Sequence, residues 1–436
     1  MSTHLELVNA KQKIDLASLK AFFPAVFGTI VEYYDYALYG FCASLLASQF
    51  FPTDDPTVAL LKTFGIFLTG SLAKPLGALL FGFIGDRFGR SIALKISMLG
   101  IAIPTTAIGL MPTYQDIGWI APCLLLLCRI LQGILTAGES DTVRIFIFES
   151  FFKSKPCFAN SLSNVSIFVG IYLASKASAW VMAAEDPNFA WRIAFIVGGM
   201  MGAVVFWLRF TVSETVDYVE HLNVRVKTRS SQSWNGFFKV FIDNKRIILT
   251  AILFCGASGG TYHFYLVFLG KYLSSTLNIL DSETASRFIS TAVLIYTLCL
   301  PIGGFLADRF GLVRIIKTFF YGLCVALGLN IMMVLAGQMP LWLMWVTAGI
   351  LAIFQDPMCT LVIQRIEVGE RCRCLSFGHA TGSILFSGSA PFISLWLWQS
   401  TENAAVPFLY CGLLASMGFL GTFLIKKNTV PTVAVQ

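Results

Sequence analysis

Charge is what this chain has least of. Asp, Glu, Lys and Arg make up only 13% of its 436 residues, about half the usual share of soluble domains, so an ordinary water-facing surface cannot be built from it. Histidines number four. No zinc-ligand spacing, Walker loop, nucleophile elbow or dinucleotide fingerprint occurs, so nothing supports an enzyme, and no cofactor or metal is expected. The Gly-Asp-Arg stretch after Ile84 is no phosphate cradle, because it lacks the Gly-Lys-Ser/Thr ending. The basic excess, 31 Lys and Arg against 24 Asp and Glu, is dispersed in loops without an RNP or basic-arm pattern, which argues against nucleic acid. Met1 to Lys20 carries Lys11 and Lys13 but no apolar core, so no cleaved signal peptide is expected. Of eleven cysteines, all but Cys372 and Cys374 lie in apolar runs, where the thiol behaves as a small hydrophobe. They read as reduced packing residues.

What the chain has in abundance is apolar length. Runs fall near residues 19–48, 57–84, 92–112, 118–148, 157–183, 190–210, 247–273, 286–306, 313–337, 340–364, 374–398 and 406–425. A bilayer core about 30 Å thick needs roughly 20 helical residues per crossing, so these twelve runs predict an all-α membrane protein with twelve transmembrane helices. Pro52, Pro56, Pro112, Pro156, Pro187 and Pro340 sit in or beside the intervening loops. With both termini cytoplasmic, only Arg192, Lys271 and Arg287 of the 31 Lys and Arg face outside; five lie within spans (Lys62, Lys74, Arg129, Arg144, Lys176) and the other 23 face the cytoplasm, as the positive-inside rule requires. The outer loops carry acids instead: Asp54, Asp55, Asp116, Glu185 and Asp186.

The stretch Gly85-Asp86-Arg87-Phe88-Gly89-Arg90 follows the second run, and Ala307-Asp308-Arg309-Phe310-Gly311 follows the eighth, 222 residues later. A duplication of six spans per half is the economical reading. It divides the chain into a cytoplasmic tail (1–18), a six-helix bundle (19–210), a cytoplasmic linker (211–246, with Arg225, Lys227 and Arg229), a second bundle (247–425) and a tail (426–436). With this repeat and long middle loop the sequence resembles the major facilitator superfamily, whose two halves form a parallel repeat. It is most similar to the metabolite:proton symporter branch. The matching residues are Glu32-Tyr33-Tyr34-Asp35-Tyr36-Ala37-Leu38-Tyr39-Gly40, Lys74-Pro75-Leu76-Gly77-Ala78, Phe81 to Arg87, Arg129-Ile130-Leu131-Gln132-Gly133, Ala137-Gly138-Glu139, Trp191-Arg192 and Glu214. Tyr33, Lys74, Phe83, Ala137 and Ala194 stand where the branch usually has Trp, Arg, His, Gly and Pro.

The resemblance implies two pseudo-symmetric six-helix bundles rocking around a central cavity. It further implies a secondary active transporter in a bacterial-type cytoplasmic (inner) membrane, importing a small polar metabolite by proton symport. Organic acids, amino-acid-like zwitterions and compatible solutes fit. Its partners would be that solute, protons and the lipid bilayer, and a monomer is expected. Alternatives are a proton-coupled efflux antiporter, whose glycine-proline signature helix 5 lacks, and a non-transporting sensor or passive channel.

Charges inside spans are costly, so each is a candidate for function. At about 1.5 Å per residue, Asp35 lies about 24 Å up helix 1, Glu32 about 20 Å up, and Arg129 about 15 Å up helix 4; side chains leaning toward their helix N-termini narrow the gap. A carboxylate that gains and loses an arginine partner switches its proton affinity. The sugar-porter branch has an aspartate and an arginine in matching places, implicated in proton coupling. Asp35 and Arg129 are therefore the coupling pair or a permanent ion pair, with Glu32 as second carboxylate. Glu139 and Asp141 differ by about 200° around helix 4, so one cavity cannot take both; Asp141 can pair with Arg144, and Glu139 is assigned to proton coupling. Tyr36, Tyr39, Gln132, Tyr262, His263, Tyr265 and Asp356 are assigned to the substrate cavity, with Tyr262 and Tyr265 sharing a face and Pro357 interrupting the helix after Asp356. His263 is equally a core residue, and His379 is read as structural. Asp86, Arg87, Arg90, Glu149, Asp308 and Arg309 form an expected conformational latch. Lys176 is expected to snorkel to the outer interface, and Lys74 is a secondary contact.

Overall fold

A computed structural model describes residues 16–52, 56–151, 155–228 and 234–424. Lys11, Lys13, Asp54, Asp55, Arg229 and the tail 426–436 lie outside the described residues, as do the side chains of Arg225 and Lys227. The regular structure of the described residues is helical, without strands. In chain order the main helices are α1 (Leu16–Phe41), α2 (Ala43–Phe50), α3 (Pro56–Arg87), α4 (Arg90–Leu110), α5 (Ile120–Phe151), α6 (Pro156–Ala183), α7 (Pro187–Leu208), α8 (Val216–Thr228), α9 (Trp234–Asp243) and α10 (Lys245–His263). After them come α11 (Ser282–Phe310), α12 (Leu312–Leu335), α13 (Leu341–Ile363), α14 (Arg371–Gly382), α15 (Ala390–Thr401) and α16 (Val406–Leu424). Among the described residues, ten helical segments are long and apolar enough to cross a membrane, from Arg90–Leu110 to Val406–Leu424. The first two expected spans fall on α1, α2 and α3. Pro187 opens α7 behind the Asp186 cap, whose carboxylate accepts from the Asn188 N–H, and Pro340 precedes α13.

The surface explains why so little charge is needed. Trp119, Trp207, Leu110 and Phe392 are each at least two-thirds exposed. An apolar exterior on that scale is stable only against lipid. Without a hydrophobic drive between helices, association depends on close packing at small residues. Gly133 of α5 lies against the backbone of Gly70 in α3, and a side chain on Gly77 would run into the backbone of Ile134.

Two compact units emerge from the packing. Of the described residues, one unit contains those up to 151, those from 163 to 228 and the short segment 368–376; the other contains 155–162, 234–367 and 377–424. In the first, α3 packs on α5, α4 on α5 and α7, and α1 on α5 and α7. One apolar core cluster gathers Trp191 and Phe195 of α7, Phe50 of α2, and Leu38 and Tyr39 of α1. In the second, α11 and α12 pack on α13, and α10 and α12 pack on α16.

Gly89 and Gly311, equivalent positions of the repeated motif, both adopt positive φ, +108° and +93°. Each opens the following helix, α4 or α12. That left-handed conformation is one that residues bearing a Cβ rarely reach, which accounts for glycine at both. Lys176 is exposed, with Nζ 5.4 Å from the centre of the Tyr172 ring. None of the eleven cysteines forms a disulfide.

Overpacking a tight helix crossing costs about 1–3 kcal/mol. Gly77→Val is expected to lower the thermal midpoint of purified protein, whereas Gly40→Ala, which meets nothing within 4 Å, is expected to leave it unchanged; equal midpoints in a melting curve would contradict this packing.

Candidate coupling site

Helices α1, α4 and α5 converge on one buried polar cluster. Asp35 of α1 is only 4% exposed and Arg129 of α5 only 3%. The Arg129 Nη1 atom stands 3.8 Å from Asp35 Oδ2, close enough for strong attraction but too far for a direct hydrogen bond. Neutral donors hold the carboxylate instead. Thr105 Oγ1 of α4 and Gln132 Nε2 of α5 each donate to Asp35 Oδ1 at 2.9 Å, and Gln132 Nε2 also lies 3.0 Å from Thr105 Oγ1. The guanidinium lies 3.7 Å from the centre of the Tyr39 ring, a cation–π contact, and Tyr39 donates its hydroxyl hydrogen to the Thr63 carbonyl at 3.2 Å.

The structure thus brings together Asp35, Arg129, Gln132 and Tyr39. It adds Thr105, which sequence reasoning passed over because a threonine in an apolar run carries no signal of its own. Tyr36 is partly exposed, with Lys74 Nζ 5.2 Å from its ring centre. Glu32 does not join this cluster; its Oε1 accepts from Ser140 on α5.

Glu139 belongs to a different arrangement. Arg209, just past the end of α7, grips it with both terminal nitrogens: Nη1 lies 2.7 Å from Oε2, and Nη2 bonds Oε1. Ser97 of α4 donates to Oε2 at 2.7 Å. The pair is sealed from solvent. Its partner lies 70 residues away in the chain, beyond any local spacing rule. Asp141 and Arg144 pair locally at 3.2 Å.

The repeated loop motif has a defined electrostatic role. Asp86 accepts from the backbone N–H groups of Cys372 and Arg373 at 3.0 and 3.1 Å, and from Arg373 Nε at 3.0 Å. In the other unit, Asp308 accepts from the N–H groups of Cys157 and Phe158 at 3.0 and 2.8 Å. Each aspartate therefore neutralises the positive first turn of a helix, α14 or α6. Arg90 bridges from the Gly85 carbonyl to Glu149 at 3.0 Å and also reaches the Val368 carbonyl. Glu149 further receives Arg371 at 2.9 Å and Thr215, and Arg371 reaches Asp217 at 3.2 Å.

Arg87 and Arg309 do not take part in this network. Both are exposed and lie over Phe83 and Phe88, or over Phe310, because successive residues on a helix point in different directions. Burial pushes the carboxyls of Glu214 and Asp217 above the usual carboxylate range, against the opposing pull of backbone N–H groups on Glu214 and of Arg371 on Asp217.

In the second unit, Tyr262 and Tyr265 do not share a face as expected. A π-turn over Phe264–Phe268 follows α10, shifting the angular spacing, so that Tyr265 is buried edge-on to Phe264 while Tyr262 packs against Tyr296 and His263. His263 Nδ1 lies 2.7 Å from the Gly259 carbonyl oxygen and 2.9 Å from Ser387 Oγ. Asp356 is buried in α13, which runs on through Pro357. The polar centre of this unit is its neighbour Gln355, unmarked in the sequence reading: its Oε1 accepts from Ser258 at 3.2 Å and Tyr296 at 2.8 Å, and its Nε2 donates to Thr261.

Buried ion networks on long helices faced with apolar residues fit a multi-pass membrane protein. The profile of the Major Facilitator Superfamily matches residues 25–365, and the chain belongs to that family. It is 29% identical over 426 residues to the proline/betaine transporter of Escherichia coli (strain K12), covering 94% of this chain and 83% of that one. It is 28% identical over 414 residues to the citrate-proton symporter of Salmonella typhi, covering 92% and 93%. Its fold matches the proton:xylose symporter XylE with a TM-score of 0.72 at 15% identity, over 96% of this chain and 97% of the other.

Breaking a buried ion pair strands a charge and costs about 3–5 kcal/mol. Glu139→Gln is therefore expected to lower the thermal midpoint sharply, and the paired replacement Glu139→Leu with Arg209→Met to recover most of the loss. A single variant as stable as the parent in a melting curve would show that the pair is not structural.

Proposed function

We propose that the protein imports a small polar metabolite together with protons by alternating access, with Asp35 as the proton-carrying group and Arg129 as its partner. The observation carrying this reading is the contrast between the two buried acid–arginine pairs. Glu139 is clamped by two guanidinium hydrogen bonds and a serine, so protonating it means dismantling a closed network. Asp35 is 3.8 Å from its arginine and is held by Thr105 and Gln132. It can accept a proton while those neutral side chains keep its position.

The relatives' names point to the cargo. Proline, betaine and citrate all bear a carboxylate, so organic acids and zwitterions are the substrate class. For a neutral or zwitterionic solute carried with one proton, moving one charge across 100 mV supplies about 2.3 kcal/mol, enough for roughly 50-fold accumulation at 1.36 kcal/mol per tenfold. The distribution of Lys and Arg supports an orientation with both termini in the cytoplasm. The Asp86, Arg90 and Glu149 network, with Asp308 in the second unit, then lies on the cytoplasmic side. It serves as the latch whose making and breaking biases the conformational equilibrium.

Asp35→Asn in proteoliposomes is expected to abolish accumulation driven by a pH gradient while leaving counterflow exchange. Accumulation at the parental level in that variant would exclude Asp35 as the coupling acid.

A further inference from the structure

Arg129 makes fewer contacts than a buried guanidinium requires. Its Nη1 faces Asp35 at 3.8 Å and the Tyr39 ring lies against it, yet Nε and Nη2 have no hydrogen-bond partner. Leaving buried charged donors unpaired is expensive. These two nitrogens are not scattered: together they form the side edge of the guanidinium, two parallel N–H groups spaced to meet both oxygens of one carboxylate. Tyr36, partly exposed and beneath Lys74, stands three residues before Tyr39 on α1, on the same side of the helix as the ring that covers the guanidinium. The guanidinium is thus one helical turn from a partly exposed side chain.

We propose that this edge binds the carboxylate of the transported metabolite, so that one guanidinium holds the cargo on Nε and Nη2 and faces the proton carrier with Nη1. The proposal rests on the coupling role of Asp35 and adds the reason that cargo and proton travel together. With a second carboxylate bound, two anions share one cation, and a proton on Asp35 relieves the imbalance. By reciprocity, a proton on Asp35 tightens the binding of the cargo by the same factor. The titratable groups that act electrostatically on Asp35 are Arg129, which faces it, and Cys128 and Tyr34 nearby, while α4 contributes the neutral hydroxyl of Thr105; the Tyr39 ring lies against Arg129. Of these, Asp35 is the carboxyl.

The test is a thermal-shift titration of the full-length purified protein with L-proline, glycine betaine, citrate and 2-oxoglutarate, each beside its methyl ester, at acidic and at alkaline pH. At least one acid is expected to stabilise the protein, more strongly at acidic pH, and its ester is expected to be inert. Arg129→Lys, which keeps the charge but not the edge, is expected to weaken that acid ~10–100-fold, the equivalent of a lost charge-assisted hydrogen-bond pair. Esters that stabilise as well as their acids, an unchanged affinity in Arg129→Lys, or no response to any of the four acids would overturn the assignment. If Arg129→Lys does not fold, the comparison of acid with ester on the parent protein decides alone. Asp35→Asn separates the two ideas. Acid binding that persists but loses its pH dependence supports both, whereas binding that persists and remains pH-dependent removes Asp35 as the coupling acid and leaves the Arg129 edge standing.

Discussion

Everything in this molecule follows from the cost of placing an ionised side chain where water cannot reach it. The apolar helices tolerate only a few such groups, and those few are paired, capped or hydrogen-bonded. Glu139 takes Arg209 and Ser97. Asp86 takes the first turn of α14 and Arg373, and Asp308 takes the first turn of α6. Each arrangement answers the same demand, and each ties together segments far apart in the chain. Charge satisfaction therefore serves as long-range structural glue in a setting where the hydrophobic effect does not discriminate one helix neighbour from another.

Against that background the Asp35 cluster stands out for an arginine with two adjacent nitrogens unpartnered and no direct hydrogen bond to its acid. A transporter needs a site of this kind. A fully satisfied ion pair has no reason to respond to a proton or a solute, whereas one balanced by neutral donors can change its charge at modest cost. On the proposed reading, the difference between a structural pair and a working pair is one of hydrogen-bond geometry, since residue type and burial are nearly the same in both.

The two loop motifs illustrate how duplication carries a local geometry. Glycines 222 residues apart adopt the same left-handed turn, and aspartates at equivalent positions each cap a helix N-terminus. Only the aspartates and Arg90 among the motif's charged residues are built into the packing. Arg87 and Arg309 remain outside over aromatic rings, where a topological role suffices.

Much of this was legible in the chain alone, because the relevant physics is local. The bilayer dictates the length of each apolar run, the turn dictates glycine, and proline marks helix starts, so the helices, the repeat and the level of Asp35 with Arg129 could be read from spacing. The partner of Glu139, the contribution of Thr105, the centrality of Gln355 and the separation of Tyr262 from Tyr265 could not. The first three depend on which helices become neighbours, which no periodicity encodes. The last depends on a π-turn, whose single extra residue per turn leaves no mark in the apolar pattern. Sequence determined which groups would need partners, and tertiary packing decided which partners they found, because a buried charge pairs according to distance in space rather than along the chain.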